Sequence, residues 1–141
     1  MVWSLDVISE ISYWPVVLAV LANFILGFVW YAPSVFGKQW MKAVGLKAKD
    51  MKDNKDMGTT YMAMLVFSFL SNSTLAIMMM LMGVTAAFYC LLTGLIIGFF
   101  FTFAYMLNTN AFEKRSFEVT MINGGYVMVA LAISGWIIAI V

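Results

Sequence analysis

Polar side chains set inside long apolar runs are the first candidates for chemistry, because an unpaired polar group there costs free energy. Asn23 lies near the middle of an apolar run from Tyr13 to Tyr31, and Asn72, within Ser71-Asn-Ser-Thr74, near the middle of a run from Thr59 to Met82. Their depths match, so they are expected to hydrogen-bond across neighbouring helices, a bond worth about 0.6 kcal/mol in such settings. One reading is structural glue; the other is a pair that coordinates a neutral solute or an ion. Glu113 and Arg115 form the only pair suited to acid–base work, and they have no third partner to complete a catalytic set. With Glu118 they read instead as an interfacial salt-bridge cluster, with Arg115 reaching back to carbonyls left free where the first run breaks at Pro33. The chain has no histidine, which removes the commonest metal ligand and general base, and its single cysteine, Cys90, excludes an intramolecular disulfide framework. Thirteen methionines include Met78-Met79-Met80 and Met82, but consecutive residues point around a helix and do not converge on a soft metal ion. No catalytic residue, metal ligand or cofactor is expected, and the protein is expected not to be an enzyme.

The most distinctive stretch is aromatic: Trp30-Tyr31-Ala-Pro33-Ser-Val-Phe36-Gly37-Lys-Gln-Trp40-Met41. It reads as a helix end, a proline-enforced turn and a short amphipathic helix, with Phe36, Trp40 and Val44 on one face and Lys38 and Lys42 on the other. Ser34 is its expected N-cap and Gly45 its end. The rings either anchor the chain at the headgroup level, where Trp and Tyr concentrate, or line a vestibule for an apolar or aromatic ligand. A second polar loop, Asn108 to Glu118, leads into Asn123-Gly-Gly-Tyr126.

The elements that must position these residues follow from hydropathy. Of 141 residues 64% are apolar and 11% charged, against roughly a quarter charged in a soluble domain. Four charge-free stretches, about 13–31, 59–82, 85–107 and 119–141, are each long enough to cross a ~30 Å hydrocarbon core. They are apolar on every face, which excludes the alternation of barrel strands. The expected fold is an all-α integral membrane protein, one domain of four transmembrane helices plus the interfacial helix. All eight basic residues fall in two loops, 32–58 and the one holding Lys114 and Arg115. By the positive-inside rule those loops are cytoplasmic and both termini lie outside. Met1 to Glu10 carries no basic residue, so the first run is expected to be a retained span rather than a cleaved leader. Lys47 to Asp56, of alternating sign, is expected to be a solvated linker.

In the third span Ala86, Cys90, Gly94, Gly98 and Thr102 recur every four residues and form a small-residue groove. Such a groove lets another helix approach closely, whether the first span, the fourth span or a second protomer. Ala19, Asn23 and Gly27 make a shorter version in span one.

Trp30-Tyr31-x-Pro33-x-x-Phe36-Gly37-x-x-Trp40-Met41 with Gly45, together with Asn110-x-Phe112-Glu113-x-Arg115 and Asn123-Gly-Gly-Tyr126, resembles a family of small bacterial membrane proteins known only as domain of unknown function 1761. The resemblance covers essentially the whole chain and implies four spans; it implies no activity. Small multidrug exporters also have four spans, but they depend on a membrane-embedded carboxylate that this chain lacks. The partners expected are the lipid bilayer and either a second copy or another membrane protein, and not nucleic acid. The first functional expectation is therefore a non-enzymatic interaction protein, a homo-oligomer or an accessory subunit of a membrane complex. The alternative is a transporter or channel for a small neutral or apolar solute, lined by Asn23 and Asn72 and gated near Trp30, Tyr31 and Trp40.

Overall fold

A computed structural model describes residues 11–47 and 57–141. The Met1–Glu10 leader question and the linker beyond Lys47 lie outside the described residues. Five helices follow in order: α1 (Tyr13–Trp30), the short α2 (Gly37–Val44), α3 (Met57–Leu81), α4 (Ala87–Phe112) and α5 (Phe117–Ile140). Four of them are long and apolar enough to cross a membrane, and the fold is all-α among the described residues. Pro15 sits in the first turn of α1, where its missing N–H leaves no bond unmade. α4 runs past the expected end of its span, taking Asn108 to Phe112 into the helix and reducing the second polar loop to the turn before α5.

α5 is the hub, lying against α1 and α4, with α2 across its basic end. Its buried face carries small residues, Gly124, Ala130, Ala132, Ser134 and Gly135. That composition has a physical cause. Lipid tails are as apolar as leucine, so helices in a membrane gain from close contact rather than from escaping water, and small residues permit that contact. The groove of α4 faces α5, which selects the fourth span among the three expected partners. A Cβ at Gly94 would fall onto the Leu131 carbonyl, and one at Gly135 onto the Cys90 carbonyl. At Gly98 it would come within 2.8 Å of Met128 Cα. The two backbones are therefore nearly touching along about two helical turns.

The four-residue stripe does not run its expected length. Ala86 is exposed and stands outside the helix as its N-cap. At the other end Gly98–Phe103 is π-helical, so the helix gains one residue per turn there. The next side chain on the α5 face after Gly98 is consequently Phe103, five residues on, rather than Thr102. Phe103 is buried with its ring laid against Gly124, while Thr102 is only half-buried.

α3 packs on α1 and joins the core through its far half only. Its buried residues, Asn72, Leu75, Ala76 and Met79, all lie in the half away from the basic end. From Gly58 to Phe67 every residue is exposed, on all sides of the helix. Of the methionine run, Met79 is buried at 4% exposure and Met78, Met80 and Met82 face outward. This is the behaviour of adaptable packing, not of a converging ligand set.

Candidate functional site

The aromatic segment after α1 folds back on itself. The Phe36 amide donates to the Trp30 carbonyl (3.2 Å) and the Gly37 amide to the Ala32 carbonyl (3.0 Å). The carbonyls freed at the helix end are thus satisfied by the loop's own backbone, and Arg115 instead pairs with Glu113 on the exposed surface. The expected reach of Arg115 toward Pro33 is not made, because its guanidinium is turned to the Glu113 carboxylate two residues away. Gly37 is buried against the carbonyls of Tyr31 and Ala32, where a Cβ would overlap Tyr31 O. That contact fixes where α2 begins. Ser34 is exposed and caps nothing; Phe36 holds the N-cap position without a side-chain bond. Gly45 closes α2 in the left-handed region (φ 75°), the conformation its type suits, with its amide on the Lys42 carbonyl.

This folded segment docks onto α5. Trp30 Nε1 donates to the Ile122 carbonyl at 3.0 Å, and the Tyr31 hydroxyl donates to Asn123 Oδ1 at 2.9 Å. Tyr126 reaches back across α1 and donates to the Asn23 carbonyl at 3.0 Å. The rings interlock: Trp30 lies 4.9 Å from Phe36, and Tyr31 lies 5.5 Å from Trp40 and 5.6 Å from Tyr126 between centroids. Gly125 admits the edge of Trp30, which a Cβ would meet at 3.3 Å. The Trp30–Trp40 motif and Asn123-Gly-Gly-Tyr126, separated by about two-thirds of the chain, therefore form one cluster at one end of the bundle. Trp40 Nε1 is buried there with no hydrogen-bond partner. Pro33 is exposed at the apex of the turn and touches none of these bonds.

Deeper in the bundle Asn23 pairs with Ser134, not with Asn72. Asn23 Nδ2 donates to Ser134 Oγ at 3.1 Å; the hydroxyl lies 3.3 Å from Asn23 Oδ1 and 2.9 Å from the Ala130 carbonyl. Asn72 turns onto its own helix, donating to the Ser68 carbonyl at 2.8 Å, and its Oδ1 is buried with no partner. The matched depths were a sound guide to which side chains need partners, but α1 presents its polar face to α5. Ser134 and Tyr126 complete the network and were not among the expected site residues. Ser134, the only serine of the last span, was the available signal. At the basic end Asn110 Nδ2 donates to Thr120 Oγ1 at 2.8 Å, joining the end of α4 to the start of α5.

Electrostatically the cluster is quiet. Burial, with Tyr126 adding a smaller push, drives the phenol of Tyr31, one residue beyond the end of α1, from 10.0 up to about 12. Tyr31 is therefore a neutral donor at physiological pH and not a base. Because the folded-state value lies above the unfolded one, its contribution to stability is complete below pH 10 and is lost as the pH rises toward 12. Thermal melts of detergent-solubilised protein are expected to show a fall in melting temperature over that window that Tyr31→Phe reduces. An equal fall in the variant would disprove the assignment. Glu113 and Arg115 are both exposed, so the remaining candidate for proton transfer sits in solvent without a pocket. Among the described residues no group of three His, Cys, Asp or Glu is placed to hold a metal ion.

An open groove of about 390 Å³ lies between α1 and α3, lined by Val17, Val20, Leu21, Leu65, Phe69 and Leu70 among others. Its lining is aliphatic and aromatic, and neither Asn23 nor Asn72 contributes to it. The two asparagines expected to line a solute path are instead engaged, one with α5 and one with its own helix. No curated protein and no solved structure matches the chain. A family model spanning residues 14–139, and so both halves of the aromatic cluster, does match: the chain belongs to the family described as protein of unknown function (DUF1761).

Proposed function

We propose that the protein acts by association within the membrane, forming homo-oligomers through the basic half of α3, rather than by catalysis. The observation that carries this reading is the exposure of α3 from Gly58 to Phe67 on every face, while α1 and α4 pack closely on α5. The half of the span left outside its own bundle presents its surface to a neighbour, including the small or polar Gly58, Thr59, Thr60 and Ala63. Such residues suit close approach between helices in lipid. The groove between α1 and α3 adjoins the same surface and suits a large side chain from a second copy. In this reading the basic loops face the cytoplasm of a bacterial cell and both termini lie outside it, following the distribution of the eight Lys and Arg residues.

The test is disulfide crosslinking in native membranes. The background is Cys90→Ala, because Cys90 is the only cysteine. Single cysteines placed along 58–67 are expected to give covalent dimers with a helical period, whereas cysteines at Phe100 and Phe28, on the lipid-facing sides of α4 and α1, are not. Absence of dimers along α3, with monomers counted by single-molecule photobleaching in bilayers, overturns the proposal. Dimerisation replaced by a crosslink to a different protein would transfer the reading to an accessory subunit.

A further inference from the structure

The polar face of α2 has no role in the cluster just described. Trp40, Met41, Ala43 and Val44 are half-buried, whereas Lys38, Gln39 and Lys42 are exposed. Lys38 and Lys42 lie one helical turn apart, the spacing that puts two side chains on one face. Among the described residues neither makes an ion pair, and nor does Lys114 at the same end of the bundle; the described ion pair there is Arg115 with Glu113. The cationic face is held in place. Phe36 packs at a tilt against Trp30, Trp40 meets Tyr31 edge to face, and Gly37 is locked beneath the Tyr31 and Ala32 carbonyls. The apolar side of α2 is continuous with the end of the membrane-spanning bundle, so its lysines stand where a span meets the headgroup layer.

We propose that α2 is a binding site for the headgroups of anionic phospholipids, with Lys38 and Lys42 forming a preorganised pair of charges for their phosphodiesters. Charge complementarity carries the assignment: two cations with no ion pair among the described residues lie on a face whose neighbours are lipid. Free lysines on flexible tails attract an anionic leaflet as a diffuse field. Here the helix that carries them is held by ring contacts, so only side-chain freedom is lost when a phosphate docks. The proposal rests on the membrane-spanning reading of the fold and is independent of self-association and of which leaflet the basic end occupies.

The experiment uses the full chain in nanodiscs of phosphatidylcholine containing a minor fraction of brominated lipid, either phosphatidylglycerol or phosphatidylcholine. Bromine quenches indole fluorescence at short range. Comparison with Trp40→Phe isolates the Trp40 signal. At roughly fivefold per lysine, the pair is expected to enrich brominated phosphatidylglycerol at Trp40 by about tenfold or more after salt screening, compared with brominated phosphatidylcholine. Lys38→Gln/Lys42→Gln, whose side chains are exposed and carry no fold contact, is expected to abolish the preference while leaving the near-ultraviolet circular dichroism unchanged. Equal quenching by the two lipids overturns the proposal. So does a preference that survives in the double variant. Competition by free glycerophosphate at millimolar levels would assign the lysines to a soluble phosphate instead of a lipid, and overturns it too.

Discussion

Gly94→Ala is expected to separate α4 from α5 and to lower the yield of folded protein more than any other single methyl group added to the chain. At Gly94 the new Cβ would coincide with the Leu131 carbonyl, a backbone atom in the middle of a buried helix. Side chains can rotate away from an intruder; a helical backbone cannot move without shifting every contact above and below it. Gly135, which faces the Cys90 carbonyl from the other side, prevents compensation by sliding the helices along each other. Overpacking typically costs 1–3 kcal/mol, and a backbone-to-backbone clash belongs at about the upper end of that range. The control is Gly58→Ala, where nothing lies within 4 Å. There the gain in helix propensity is expected to leave stability unchanged or raise it by about 0.5–1 kcal/mol. Sodium dodecyl sulfate titration followed by circular dichroism in mixed micelles measures both. A Gly94→Ala midpoint equal to wild type would refute the close packing of α4 on α5.

The second large effect is a coupling. Gly124→Ala drives a methyl group into the ring of Phe103, which can turn aside, and is expected to cost about 1–2 kcal/mol; Phe103→Ala leaves a void beneath Gly124 and is expected to cost about 3–5 kcal/mol. The double variant places a methyl group where the ring was and so partly fills the void. Its cost is expected to fall short of the sum by more than about 1 kcal/mol, the signature of residues in direct contact. The π-helical segment makes a further demand on the same site. Removing one residue, Phe100 or Phe101, would convert Gly98–Phe103 to α-helical spacing while keeping Phe103 over Gly124. That deletion is expected to be tolerated, an unusual outcome for the middle of a membrane span. Additive costs in the cycle, or unfolding of the deletion variant, would show that Phe103 is not the contact that sets the register.

The sequence made the spans legible because hydropathy is a local property. A charge-free run of sufficient length has one stable solution in lipid, and α1, α3 and α5 start and stop within two residues of expectation. The α2 boundary was misplaced by the same local logic. Ser34 has the chemistry of a cap, but the close contact between Gly37 and the Tyr31 carbonyl decides where the helix starts. The four-residue stripe of α4 was legible as a packing surface, and Gly94 and Gly98 fill that role. Its break at Thr102 was hidden because Phe99-Phe100-Phe101 is apolar on all faces, so hydropathy carries no phase through it. The Asn23 partner was out of reach for another reason. Matching depths identify a level in the membrane, and four helices cross each level; only three-dimensional packing chooses Ser134 over Asn72. For the aromatic cluster the sequence identified the members, Trp30, Tyr31, Phe36, Gly37, Trp40 and Asn123, without showing that they meet.

The Asn23–Ser134 pair also orders the birth of the molecule. Its members lie 111 residues apart, and the bond from Trp30 to Ile122 closes over 92. During synthesis α1 enters the bilayer first with its amide unpaired, and α3 and α4 follow before the ribosome reaches the helix that satisfies it. The last span is thus the keystone. Every long-range bond of the aromatic cluster waits for α5, and a chain stalled after α4 would hold three inserted helices without a fold.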